Sequence, residues 1–333
     1  MLIMTVVTFK VLFSNVNIDE LKNILLHFDK TYLVIALLFV IGFISSEGLS
    51  FIVMGKALGT RISFLSSFTY ACVDIYFSYI TPSATGGQPM MIYYMAKDKI
   101  SVAKSGIMVF MYTLFYTLAL LVLTIWALFW RTDYILHMRT GFKVLFVIGI
   151  FVCVGLMVVC FFAMTSQRLA RKVCMFFVRI LSRIHIIKNK EKTLEKLEVH
   201  LKEYHDGAVF LKQHPFYCFF AFVFLLLQRI FQFAIVYAVY LGLGLSGHSV
   251  FYIIAVQSVL TISSYMIPLP GSVGASEYMF KVMYRSIFGG MLMPGLLLSR
   301  GISFYICLIL CGIVACVNHI RVLKMSAKEK RQS

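Results

Sequence analysis

Apolar residues along this chain come in long runs with almost no charge inside them. The stretches 32–54, 106–130, 144–164 and 216–241 are of this kind, and a fifth lies at about 296–320. Each reaches the ~20 residues needed to cross ~30 Å of hydrocarbon as a helix. None alternates apolar and polar residues, as the roughly ten-residue strands of a membrane barrel would. The pattern predicts an all-α, polytopic membrane protein with spans at about 31–54, 105–130, 143–165, 215–241 and 296–320.

Two further apolar segments, 62–80 and 249–267, are interrupted. The first breaks at Thr81-Pro82-Ser83-Ala84-Thr85-Gly86-Gly87-Gln88-Pro89, the second at Ile267-Pro268-Leu269-Pro270-Gly271-Ser272-Val273-Gly274-Ala275-Ser276-Glu277. Pro82 and Pro270 each stand four residues before a glycine, Gly86 and Gly274. A short helix is predicted after each break, at 88–96 and 275–288. Both segments thus read as re-entrant or broken-helix hairpins.

Charge orients this pattern. Residues 166–214 hold eleven Lys or Arg against five acidic residues, and the chain ends in a basic run from Arg321. The positive-inside rule puts both in the cytoplasm. Lys56, Arg61, Lys97, Lys99 and Lys104 then fall on the same side. Lys281, Arg285, Arg131 and Arg139 go against the rule. In this tracing the two hairpins enter from opposite faces, as in an inverted-topology repeat. The expected organisation is a short N-terminal helix and interfacial segment at 1–30 and a first membrane half at 31–165. A basic cytoplasmic segment follows at 166–214, then a second membrane half at 215–320 and a basic tail at 321–333. Within the first segment, 1–13 lacks the marks of a cleaved signal peptide, and 17–28 is amphipathic.

Composition agrees: 60% of residues are hydrophobic and 14% charged, against roughly a quarter charged in a soluble domain. A net charge of +17 would suggest nucleic acid in a soluble protein. Here it is expected to face anionic lipid headgroups. The eight cysteines form no CxxC pair, and His200, His205 and His214 lack ligand spacing. No metal or cofactor is expected. Motifs for nucleotide binding, zinc proteases and serine hydrolases are absent.

Candidate chemistry lies at the two breaks. Proline and glycine there free backbone N–H and C=O groups that hydrocarbon cannot satisfy, so the breaks must be buried in protein or line a wet cavity. Helices starting at Gly86–Gln88 and Gly274–Ser276 would turn their positive ends toward a bound anion such as a lipid phosphate. Ionisable residues inside predicted helices are Glu47, Asp74, Arg229, Glu277 and Arg300; at membrane depth such groups are costly and usually paired or functional. The expected lipid-binding set is Pro82, Gly86, Gly87, Gln88, Arg229, Pro270, Gly271, Gly274, Glu277 and Arg300. Either Arg229 or Arg300 would pair with Glu277.

The two broken loops, with Arg300, resemble the paired signatures of the lysylphosphatidylglycerol synthase transmembrane-region family over nearly the whole chain. The resemblance implies a bacterial cell-membrane protein like the flippase part of the multiple peptide resistance factors, which is associated with antibiotic resistance. It implies a lipid flippase or transporter for an anionic, aminoacylated or polyprenyl-phosphate-linked lipid. Alternatives are a phosphatidylglycerol lysyltransferase, acting with charged tRNA, or a scaffold for a separate transferase. The transferase reading needs a cytosolic domain of on the order of 100 residues or more, and no polar segment of that length is present in the sequence. The expected partners are a phospholipid or lipid-linked substrate and the anionic membrane surface. Oligomeric state is left open.

Overall fold

The computed structural model describes residues 28–130, 140–165, 214–265 and 269–332, with Leu26 and Ile267 besides. The expectations for the N-terminal helix and for the basic segment 166–214 lie outside the described residues, Leu26, Phe28 to Lys30 and His214 excepted. All regular structure among the described residues is helical. Five helices are long and apolar enough to cross a membrane: Lys30–Ala57, Val102–Trp130, Thr140–Phe162, Pro215–Gly242 and Arg285–Lys324. The chain is a multi-pass α-helical membrane protein, and these five match the five runs read from the sequence.

The first half contains α1 (Lys30–Ala57), α2 (Phe64–Ile80), a 3₁₀ turn (Pro82–Ala84), α3 (Gly87–Lys97), α4 (Val102–Trp130) and α5 (Thr140–Thr165). The second contains α6 (Pro215–Gly242), α7 (Val250–Ser264), a 3₁₀ turn (Pro270–Ser272), α8 (Ala275–Met283), α9 (Arg285–Phe288), α10 (Leu292–Arg300) and α11 (Cys307–Gln332). Two sequence expectations change here. The short helix at 275–288 is two helices, broken at Tyr284, and the basic tail continues the last helix to Gln332. Lys and Arg are good helix formers, so the charge run ends the membrane stretch without ending the helix.

The opening helices of the two halves end in the same way. After the C-cap of α1 at Leu58, Gly59 takes φ +65 and the Thr60 N–H donates to the Gly55 carbonyl at 2.8 Å. After the C-cap of α6 at Leu243, Gly244 takes φ +74 and the Leu245 N–H donates to the Tyr240 carbonyl at 3.2 Å. Left-handed backbone at that position favours glycine and satisfies carbonyls left free by the last turn. A serine then caps the next helix: Ser63 accepts from the Ser66 N–H, and Ser249 from the Tyr252 N–H. Each cap contributes about 1 kcal/mol.

Helices α1 and α6 pack along their lengths. They run antiparallel, since the Asp29 N–H donates to the Gly242 carbonyl at 3.2 Å. Gly42 leaves room for the Phe231 ring, and Gly242 for Phe28. The hairpin α2–α3 lies against α1, α4 and α11; α7–α8 lies against α4, α5, α6 and α10. Val34, Leu38, Phe129, Phe151, Phe161, Phe216, Ile309 and Ile313 are exposed. In water so many exposed large apolar side chains would be a liability; in a bilayer they form the lipid-facing surface.

Candidate functional site

The two broken loops pack against each other, and the second also touches α2. Their backbones follow one course. Ser83 and Ala84 after Pro82 have φ of +52 and +54; Gly271 and Ser272 after Pro270 have φ of +56 and +51. Only Gly271 of these four lacks a Cβ, so three positions carry strain of roughly 1–2 kcal/mol each. Such strain persists where surrounding contacts hold it.

In the first loop the Thr81 hydroxyl does the holding. It donates to the Phe77 carbonyl at 2.7 Å and accepts from the Gly86 N–H at 2.9 Å. A Cβ on Gly86 would lie 2.5 Å from Thr81 Cγ2. Gly87, which opens α3, sits hard against α2: a Cβ there would lie 2.2 Å from Ser78 Oγ and 2.3 Å from Asp74 Oδ1. The Gln88 amide reaches across to α4, donating to Thr113 Oγ1 at 2.8 Å.

In the second loop a carboxylate holds the helix start. Glu277 Oε2 accepts from the Gly274 N–H at 2.6 Å and from the Ser276 hydroxyl at 3.0 Å. Gly274, at φ +91, is the N-cap of α8. Glu277 Oε1 pairs with Arg300 Nε at 2.7 Å, and Arg300 Nη2 donates to the Gly271 carbonyl at 3.1 Å. Arg300 thereby binds both the loop and its capping carboxylate. The guanidinium also lies 4.7 Å from the centroid of Phe304, whose ring stacks on Tyr79 of α2 at 4.8 Å. A Cβ on Gly271 would strike Phe304 at 2.2 Å. Directly after Arg300 the helix widens into a π turn, Gly301–Ile306, a distortion found often at functional positions.

Arg229 stands elsewhere. It is 2% exposed on α6, and its guanidinium lies over the Tyr116 ring at 3.5 Å from the centroid. Nη1 donates to Gln232 Oε1 at 2.9 Å, while Nε and Nη2 have no partner among the described residues. A third polar group is fully buried between α1, α2 and α6. Glu47 and Asp74 lie beside each other with Tyr112 close by, and Gln228 Nε2 donates to Glu47 Oε2 at 2.5 Å.

Of the residues singled out from sequence, Pro82 and Gly271 lie in the two touching turns. Gly86, Gly274, Glu277 and Arg300 hold those turns in place, while Gly87 and Gln88 face α2 and α4. Of the two arginines expected as partners of Glu277, Arg300 is the one that pairs with it. One expectation is corrected. The α8 N-terminus already holds an anion, the protein's own Glu277 carboxylate, because a side chain three residues into a helix reaches back to its cap. At α3 no side chain caps the first turn by a hydrogen bond; Asp74 Oδ1 lies close to Gly87 and has no partner among the described residues. Sequence reasoning missed Tyr79, Tyr112, Tyr116 and Phe304. In runs this rich in aromatics nothing marks the ring that stacks on an arginine.

A family model described as the lysylphosphatidylglycerol synthase TM region matches residues 1–311. No curated protein and no solved structure matches the chain.

Proposed function

The chain belongs to the lysylphosphatidylglycerol synthase TM region family, and from that premise we propose that it binds a lipid and moves it across the membrane. The lipid class is anionic, aminoacylated or polyprenyl-phosphate-linked, and the membrane is a bacterial cell membrane. The observation that carries this reading is Arg229: a buried guanidinium in a spanning helix whose Nε and Nη2 have no partner among the described residues. A buried cation with spare donors is costly unless an anion completes it, and a planar guanidinium suits a phosphate.

The antiparallel α1 and α6, and the shared course of the two loops, support an inverted repeat. Rocking of its halves would present the headgroup to one leaflet and then the other. The Glu277–Arg300 clasp would hold the second loop shut in one of these states.

Identification of lipids that co-purify with the protein tests this directly. An anionic or aminoacyl lipid enriched with the wild type, and lost from Arg229→Gln, is the expected result. A lipid profile equal to that of the surrounding membrane, for both proteins, would contradict it.

A further inference from the structure

Glu47 and Asp74 form a buried acid pair. Glu47 is 0% and Asp74 4% exposed. Two carboxylates in contact, away from water, cannot both be charged: each raises the cost of ionising the other. Hydrogen bonding between them requires one proton.

Gln228 is the second observation. It is fully buried on a different helix and aimed into the pair, with Nε2 on Glu47. Its own Oε1 has no partner, and neither has Glu47 Oε1 nor Asp74 Oδ1 among the described residues. Three buried acceptor atoms on these residues thus lack a donor among the described residues, and a proton supplies one. No group of three or more His, Cys, Asp or Glu arranged to hold a metal ion occurs among the described residues.

We infer that the Glu47–Asp74 pair binds one exchangeable proton beneath the first broken loop, and that proton occupancy and loop position are linked. The link is the start of α3. Gly87 covers Asp74 so closely that a Cβ would touch Oδ1. The positive end of α3 favours a charged Asp74 and leaves the proton on Glu47, bonded through oxygen. When the hairpin shifts, Asp74 loses that dipole and gains affinity for a proton; when the hairpin returns, the proton leaves to water. Linkage is reciprocal, so a proton gradient biases the hairpin. The titratable and charged groups facing the pair are Cys72 of α2, Tyr112 and Tyr116 of α4, and Arg229 of α6. Cys307 and Cys311 of α11 lie beyond Cys72. The proposal gives an energy source to the lipid movement argued above and rests on that reading for its coupling alone.

Two measurements test it. Infrared difference spectra of the protein in phosphatidylcholine vesicles at neutral pH are expected to show a protonated-carboxyl stretch that shifts in heavy water. Glu47→Gln should abolish it, and Asp74→Asn, which replaces the acceptor of that proton, should shift it. Absence of the band in the wild type, or its persistence unchanged in both folded variants, would overturn the site; the wild-type spectrum decides should the variants fail to fold. Fluorescent phosphatidylglycerol in the same vesicles tests coupling. One proton per lipid gives an asymmetry between leaflets approaching about tenfold per pH unit. Lipid that moves equally with and without the pH gradient, or follows a sodium gradient instead, would overturn the coupling. Lipid that does not move in any arm would overturn the transport reading and the coupling together, while the infrared band still decides the proton site.

Discussion

Arg300 and Glu277 form a 2.7 Å ion pair that also fastens the second broken loop, because Arg300 reaches the Gly271 carbonyl and Glu277 caps α8 at Gly274. Removing one partner of a buried pair costs roughly 3–5 kcal/mol. Arg300 is 20% exposed at the side chain, which places Glu277→Gln near the lower end, at about 3 kcal/mol. Combining it with Arg300→Gln should recover roughly 1 kcal/mol or more, as coupled neighbours do. Unfolding of the four proteins in mixed micelles measures this; strict additivity would show that the pair contributes nothing.

Two glycines on one helix offer an internal control. A Cβ on Gly149 of α5 would lie 2.0 Å from the Ile262 carbonyl oxygen of α7, while one on Gly155 would meet nothing within 4 Å. Small residues let membrane helices approach this closely. Gly149→Ala should destabilise by about 1–3 kcal/mol through overpacking against backbone that cannot give way. Gly155→Ala should be neutral or stabilising by up to about 1 kcal/mol. Thermal unfolding in detergent would show the two midpoints moving in opposite directions, or Gly149→Ala alone falling.

Left-handed backbone at Ala84 predicts an unusual response to glycine. In a helix, Ala→Gly costs about 1 kcal/mol, as expected for the buried Ala119 of α4. Ala84 has φ +54, so Ala84→Gly relieves roughly 1–2 kcal/mol of strain against that entropy cost. Its unfolding midpoint should equal or exceed that of the wild type. A loss as large as that of Ala119→Gly would contradict the loop geometry.

The spans were legible because hydrocarbon thickness fixes their length, and the breaks because proline and glycine cannot hide in an apolar run. Glu277 and Arg300 stood out as charges among apolar neighbours, but their pairing did not: 23 residues and two helix breaks separate them. The Arg229 stack on Tyr116 was illegible for another reason. Sequence marks the cation, whereas the ring beneath it depends on how α4 and α6 cross. Glu47 and Asp74 each appeared alone, and only the packing of α1 on α2 makes them a pair.

Membrane orientation rests on charge. Residues 166–214 and the C-terminus should share the cytoplasmic side, given their Lys and Arg excess. Cysteine placed at Lys190 or Lys328 should be shielded from a membrane-impermeant thiol reagent in intact cells and react after permeabilisation. Labelling of either from outside would reverse the orientation.

The family description speaks of a synthase, so synthesis needs its own test. Expressed in cells without lysylphosphatidylglycerol, this chain alone should leave that lipid undetected by mass spectrometry. Its appearance would make lipid aminoacylation an activity of the chain.

Lipid movement itself is the most direct measurement. Purified protein in vesicles carrying fluorescent phosphatidylglycerol or lysylphosphatidylglycerol should expose inner-leaflet label to an external quencher faster than empty vesicles do. Arg229→Gln and, where it folds, the joint Gly86→Leu, Gly274→Leu variant should fall to the rate of empty vesicles. A wild-type rate equal to that of empty vesicles for both lipids, or full movement in both variants, would contradict transport through the paired loops.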